Sequence, residues 1–347
     1  MTKSSINEQP LPYSESKKSG GAFSNYLEKI VKELSKFPIL VIIFLGLIVY
    51  FQTIWFEFVN FDDDMLILDN ITILSDFTNI GKAFVSDAYF KQGGYYYRPT
   101  LSVSLLIDAQ IGGANPWIYY LTSMVLHILA SISLFLLLIE LKFTRNSSLF
   151  WSSLFVIHPL VTNAVAWIPA RNDLFLGLFG ILSLTFFIKY LNTDKIKYLL
   201  LHILNLYLVF SSKEIALFLP FVLLIYLFLI QKSKLFTRAN ILIFLGWLIA
   251  FVIWYYLRSF SLDDSLLRTE ITGVTPFLQN LPMVAEVIQK FFIPYNITVL
   301  PTIKLPSVII GIALIATILY FISKTKSETL KYNIFGISLF AIIILPG

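Results

Sequence analysis

Residues 37–70, FPILVIIFLGLIVYFQTIWFEFVNFDDDMLILDN, join a long apolar run to a cluster of carboxylates. Phe37 to Trp55 carries no charged residue, and its length matches the roughly 20 apolar residues that an α-helix needs to cross a bilayer. Three consecutive carboxylates, Asp62, Asp63 and Asp64, stand just past its end. Ionised side chains are costly inside hydrocarbon, so the triplet belongs at the water edge rather than in the membrane interior.

The remaining chain repeats the first half of this pattern. It has 347 residues, is 57% hydrophobic and only 14% charged, and contains 32 Phe and 18 Tyr; soluble domains carry about 25% charge. Mean hydropathy is +0.78. These values describe an all-α polytopic membrane protein and exclude an ordinary soluble enzyme. The formal charge of +5 suggests no nucleic-acid partner, because most basic residues lie in tails and short loops between apolar runs. The chain has no Cys, which removes disulfides and thiolate metal sites from consideration.

Residues 1–36 are polar, rich in Lys, and read as a cytoplasmic tail. The run at 37–55 starts late, is long and has no small-residue cleavage site, so it is a retained anchor rather than a signal peptide. Nine candidate spans follow from the apolar runs: 37–55, 116–139, 148–166, 174–191, 198–211, 215–230, 239–257, 307–323 and 332–346. With the N-terminus inside, the inner loops hold Lys142, Arg145, Lys195, Lys197, Lys232, Lys234, Arg238, Lys324, Lys326 and Lys331 against only Glu140, Asp194 and Glu328. That asymmetry obeys the positive-inside rule. It requires all of 258–306 to lie outside, so Met283 to Phe292 is expected as an interfacial helix. Two long outer loops result, 56–115 and 258–306. The chain ends at Pro346-Gly347 directly after an apolar run, which reads as a fragment that continues into further spans or a soluble domain.

The outer side gathers the chemistry. Phe77 to Phe90 is expected as an amphipathic helix along the membrane, and Leu101 to Ile111 as a short apolar helix too brief to span. Between them lie Tyr95, Tyr96, Tyr97 and Arg98 before Pro99. A second outer stretch runs from His158-Pro159 to Arg171-Asn172-Asp173. Lys213-Glu214 forms a third outer turn and reads as an ion pair, while Arg258 follows the rim residues Trp254, Tyr255 and Tyr256. A carboxylate at the water edge can take the proton of an incoming hydroxyl. Cations beside it can hold a phosphate leaving group. This combination suits group transfer from a lipid phosphate, with Arg98, Arg171 and Arg258 as phosphate ligands and Tyr96 and Tyr97 as sugar platforms.

Each residue also has a plainer reading. The Asp triplet equally suits a solvated cap, the tyrosines an interface belt, and the arginines contacts with ordinary headgroups. Asp173 either neutralises Arg171 or caps the next helix. His158 suits a hydrogen-bonding role near a phosphate better than a metal site, since no second His shares its level. His127, inside a span, reads as packed and hydrogen-bonded between helices.

VNFDDDMLILDN (59–70), YYYRPTLSVSLLIDAQIGGANPWIYYLTSMVLHILA (95–130), HPLVTNAVAWIPARNDLF (158–175) and SSKEIALFLP (211–220) together resemble the GT-C type membrane glycosyltransferases. Within them the chain is most similar to the transmembrane and tetratricopeptide-repeat-containing O-mannosyltransferases and their prokaryotic relatives. The resemblance implies a polyprenyl-phosphate-linked donor, with mannose the leading sugar, and an acidic residue of the first outer loop as general base. The family's acidic pair falls on Asp62 and Asp63, with Asn70 as the Asn eight residues on and Asp64 as an extra acid. Asp62 is favoured by this register. Arg171, Asp173, His158 and Pro159 fall on the second motif, where the family often has Glu in place of Asn163.

The implied reaction inverts the anomeric carbon by a single displacement. It requires no metal, although the acid cluster is compatible with a divalent cation. Acceptors open to it are a protein, glycan or lipid hydroxyl. A transporter or flippase of lipid-linked sugars, or a non-catalytic membrane scaffold, are the competing readings. The transporter predicts charges within spans and inverted repeats, and here the charges gather at one outer face. Frequent Lys, Ile, Phe and Asn favour a bacterial or archaeal cell membrane; in a eukaryote the site would face the lumen of the endoplasmic reticulum.

Overall fold

The computed structural model describes residues 33–344 apart from 35, 61, 91–93, 95, 233–236, 262–273, 296 and 298–302. It is an all-α polytopic membrane protein. Helix α1 (Pro38–Tyr50) starts with Pro at its first turn, where the missing N–H is no loss, and tightens into a 3₁₀ segment, Phe51–Trp55. Phe44, Ile48 and Leu40 on its surface are more than half exposed, while Ile42, Gly46 and Tyr50 are buried against the bundle. In water such exposure would be an aggregation hazard; against lipid tails it is the expected outer face.

The bundle continues with α2 (Pro99–Gly112), α3 (Pro116–Glu140), α4 (Arg145–Ile157), the single turn and a half of α5 (Thr162–Ala166), and α6 (Arg171–Thr193). After these come α7 (Ile196–Phe210), α8 (Leu219–Tyr226) with its flanking 3₁₀ and π turns, α9 (Arg238–Ser259), α10 (Val274–Phe292), α11 (Leu305–Ser323) and α12 (Ser327–Ile344). Among the described residues six helices are long and apolar enough to cross a membrane, or seven if α4 and the following segment to Ala166, bent by 46°, form one span. Each of the nine expected spans has a helix. Two of these helices are not among those counted as spans: α7, with 15 residues, and α12, which opens on SETLKYN.

Two of the expected interfacial elements differ from the sequence reading. The helix expected over 77–90 is shorter, a 3₁₀ segment Phe77–Phe84 capped by the Asp76 carboxylate, which accepts from Thr78 N at 3.0 Å. α10 does not float with a polar face toward water: Glu286, Gln289 and Lys290 are all buried, with Lys290 Nζ 2.9 Å from Glu286 and the backbone N–H of Lys304 donating to Glu286. The helix packs lengthwise on α11, and a Cβ added at Gly311 would collide with the backbone carbonyl of Ala285. The residues Asp263, Asp264, Arg268 and Glu270 and most of the tail lie outside the described residues.

The histidines inside spans act as polar clasps. His127 Nε2 lies 3.0 Å from the carbonyl of Val156, tying α3 to α4, as the sequence led us to expect. His202, to which the sequence suggested no role, accepts from the Trp247 indole at 2.7 Å and reaches the Ser183 carbonyl at 3.0 Å. It thereby joins α6, α7 and α9. In lipid a polar group has no water to fall back on, so each such pair must be satisfied internally.

Candidate active site

Two prolines build one wall of the site. Pro159 cannot continue α4 and restricts the residue before it, so His158 is extended (φ −70°, ψ 127°) and the chain turns through a 3₁₀ segment into α5. Trp167 is extended in turn, Pro169 sits in the next 3₁₀ turn, and α6 begins at Arg171. These corners carry Asn163, Trp167, Pro169, Ala170, Asn172 and Asp173 around one face of a cavity of about 230 Å³. The first loop supplies the opposite face with Asp62, Leu66, Ala88, Tyr89, Tyr96, Arg98 and Leu101, and Lys213 closes one side.

The loop is held there by bonds to backbone carbonyls. Thr100 N donates to the Ser211 carbonyl at 3.2 Å and Thr100 Oγ1 to the Leu208 carbonyl at 3.1 Å, so the Arg98-Pro99-Thr100 turn is tied to the end of α7. Pro99 starts α2, which leaves Arg98 at the helix entrance with its guanidinium 4.5 Å above the Tyr96 ring and 4.0 Å from Glu214. Lys213 bonds Asp173 at 2.6 Å. Lys213 and Glu214 are therefore not partners of each other; each pairs with a residue distant in sequence, because the tight turn points them to different neighbours.

The carboxylates of the first loop divide. Asp62 lines the cavity, and partial burial raises its pKa from the ordinary Asp value. Asp63 is 0% exposed and turns inward, where its Oδ2 accepts from the Val59 N–H at 2.8 Å. Burial raises the Asp63 pKa; the Val59 hydrogen bond opposes this, the neighbouring Asp62 and Asp64 charges add to it, and Arg171 offsets part of it. Asn70 lies away from the cavity and donates to the Met65 carbonyl at 2.7 Å, closing the turn that carries the triplet. Tyr89, on the cavity wall, has its phenol pushed up by burial and then by the Asp62 charge. Among the described residues no group of three or more His or carboxylate side chains converges as a metal site.

Four residues expected at the phosphate or sugar are placed elsewhere. Arg171 is 0% exposed and bonded to Asp108 at 2.6 Å, the Tyr119 carbonyl at 2.6 Å, Ser104 at 3.0 Å and Ser123 at 3.2 Å. Thr122 Oγ1 donates to the other Asp108 oxygen at 2.6 Å. The guanidinium thus locks α2, α3 and α6 together below the cavity and has no face left for a phosphate. Asp173 consequently does not neutralise Arg171, and α6 has no side-chain cap. Tyr97 is 0% exposed, donates to the Phe84 carbonyl at 3.1 Å and packs edge-on against Trp254, so it is core rather than platform. His158 stacks on Phe291 at 5.1 Å. Its Nδ1 accepts from Leu160 N at 3.3 Å, so Nε2 carries the proton donated to the Phe291 carbonyl at 3.0 Å. It pins α10 to the corner after α4. Arg258 lies 5.8 Å from the Trp254 ring and is absent from the cavity wall.

Asn163 and Asp173 also line a second, larger cavity of about 560 Å³. Apart from His127 its other walls are apolar, with Leu134, Leu137, Leu160, Val161, Ile181 and Leu184 from α3, the corner after α4, and α6. The polar cavity and the apolar one therefore share a boundary. Sequence reasoning missed Tyr89, Trp167 and Asn172 on the polar wall. Uncharged residues carry no topological signal, and only their position beside the two prolines and the tyrosine run could have marked them.

No family model matches the chain, and no solved structure matches it. Among curated sequences it is similar to the protein O-mannosyl-transferase tmtc2 of Xenopus laevis, 33% identical over 155 residues, which are 43% of this chain and 18% of that protein. Human protein O-mannosyl-transferase TMTC2 is 34% identical over 155 residues, with the same shares of 43% and 18%. Human TMTC3, also a protein O-mannosyl-transferase, is 29% identical over 135 residues, 38% of this chain and 14% of that protein. The chain spans less than a fifth of the length of these relatives.

Proposed function

We propose that the protein is a membrane glycosyltransferase that moves a sugar from a polyprenyl-phosphate donor to a hydroxyl acceptor, with Asp62 as general base. The observation that carries this reading is the meeting of Asp62, Arg98 and Lys213 on one small polar cavity bounded by an apolar one. An amphiphile with a phosphate between sugar and tail matches that division: tail in the apolar cavity, phosphate at the boundary, sugar in the polar cavity. The likeness to protein O-mannosyl-transferases supports mannose as the sugar and a protein hydroxyl as the acceptor.

In the reaction, Asp62 takes the proton of the acceptor hydroxyl as its oxygen attacks the anomeric carbon. The bond from that carbon to the phosphate oxygen breaks, and its electron pair leaves with the lipid phosphate. Arg98 and Lys213 stabilise the charge that develops there. Attack opposite the leaving group inverts the anomeric carbon. The basic residues of the loops on the opposite side of the bundle support a site on the face of the membrane away from the cytoplasm.

Transfer from defined polyprenyl-phosphate sugars to hydroxyl acceptors by the purified full chain tests the proposal. Asp62→Asn should lower turnover by about 10²-fold or more, the range a lost general base occupies. Asp63→Asn, which keeps an acceptor oxygen for Val59 N–H, should retain most turnover. Equal activity of wild type and Asp62→Asn, with both folded, would remove Asp62 from the mechanism.

A further inference from the structure

We propose that Asn172 forms a sugar-recognition subsite, its side-chain oxygen accepting a hydrogen bond from a hydroxyl of the donor sugar. The proposal rests on the glycosyltransferase reading above. Asn172 is 4% exposed and lines the polar cavity, and its Oδ1 has no hydrogen-bond partner. Buried side-chain oxygens are nearly always bonded, so an orphan on a cavity wall marks a place where a ligand supplies the partner. A second orphan lines the same cavity: Arg98 Nε is buried without a partner.

The two orphans have opposite needs. Arg98 Nε is a donor on a fixed positive charge and suits an anionic phosphate oxygen. Asn172 Oδ1 is an acceptor; it repels a phosphate oxygen and requires an O–H or N–H. One ligand that presents a phosphate at one end and hydroxyls at the other satisfies both, as a glycosyl phosphate does. Asn172 is also held in place from both sides in the chain. The Arg171 guanidinium is locked between three helices and the Asp173 carboxylate is bonded to Lys213, so Asn172 is presented with little freedom to move. Tyr89, Tyr96 and Trp167, which line the same cavity, offer ring faces for the C–H face of a pyranose.

The experiment measures dissociation constants of the full chain in lipid nanodiscs for two probes, farnesyl phosphate and farnesyl-phosphate-mannose. Wild type should prefer the mannosylated probe. Asn172→Leu, of similar volume, and Asn172→Ala should each lose about tenfold of that preference, the size one uncharged hydrogen bond carries, while binding of farnesyl phosphate stays unchanged. Unchanged binding of the bare phosphate also reports an intact site. A preference for the mannosylated probe that survives in both variants would overturn the subsite and leave the transferase reading standing. Loss of both probes in both variants would overturn it too, since that marks a structural role. A wild-type protein indifferent to the sugar would instead overturn the proposed function itself.

Discussion

Asp62 shows how a single residue's surroundings set the expected pH behaviour. A general base must be ionised, and burial raises the Asp62 pKa, so the proton is retained at a pH where a free Asp has lost it. Turnover should therefore fall as pH drops through this raised pKa, and the acid limb of the kcat/KM profile should lie above that of an unperturbed carboxylate. A profile flat down to the ordinary Asp range would contradict the assignment. Arg171 leads to a different expectation. Arg171→Met would leave the Asp108 carboxylate buried and unpaired, a loss of about 3–5 kcal/mol read as a lowered melting temperature in detergent. Joint replacement, Arg171→Met with Asp108→Leu, should recover much of it. The charge triplet and the basic residues were legible in the sequence because charge at a membrane edge is rare. The fate of Arg171 was not, because its partner lies 63 residues away in a short helix that the sequence marked only as apolar.

Among the elements, helix positions were legible and helix partners were not. An apolar run announces a helix, yet nothing in it says which neighbour its small residues face. α10 is the case in point. The sequence marks it as an interfacial helix, whereas its Glu286, Gln289 and Lys290 are buried and the helix lies on α11. The contact is close because Gly311 has no Cβ to meet the Ala285 carbonyl. Gly311→Ala would have to push two backbones apart, with an expected cost of about 1–3 kcal/mol in thermal unfolding. Gly336→Ala, where a Cβ meets nothing, is the matched control and should change little.

Loop charge sets the orientation expected of the whole molecule. The chain contains no Cys, so single cysteines can be introduced and their labelling by an impermeant reagent read without background. A Cys at Lys142 should be labelled only after the membrane is opened, and a Cys at Thr78 in sealed cells. The reverse pattern would invert the topology and place the polar cavity on the cytoplasmic side.

Among the described residues, the walls of that cavity come from residues 62 to 213. A ribosome delivers a membrane protein from its N-terminus, so the last wall residue, Lys213, emerges while α9 to α12 are still unmade. These walls can therefore meet in the membrane before the second half of the bundle exists, and the later helices, α10 through its contact with His158 among them, then dock against a site already in outline.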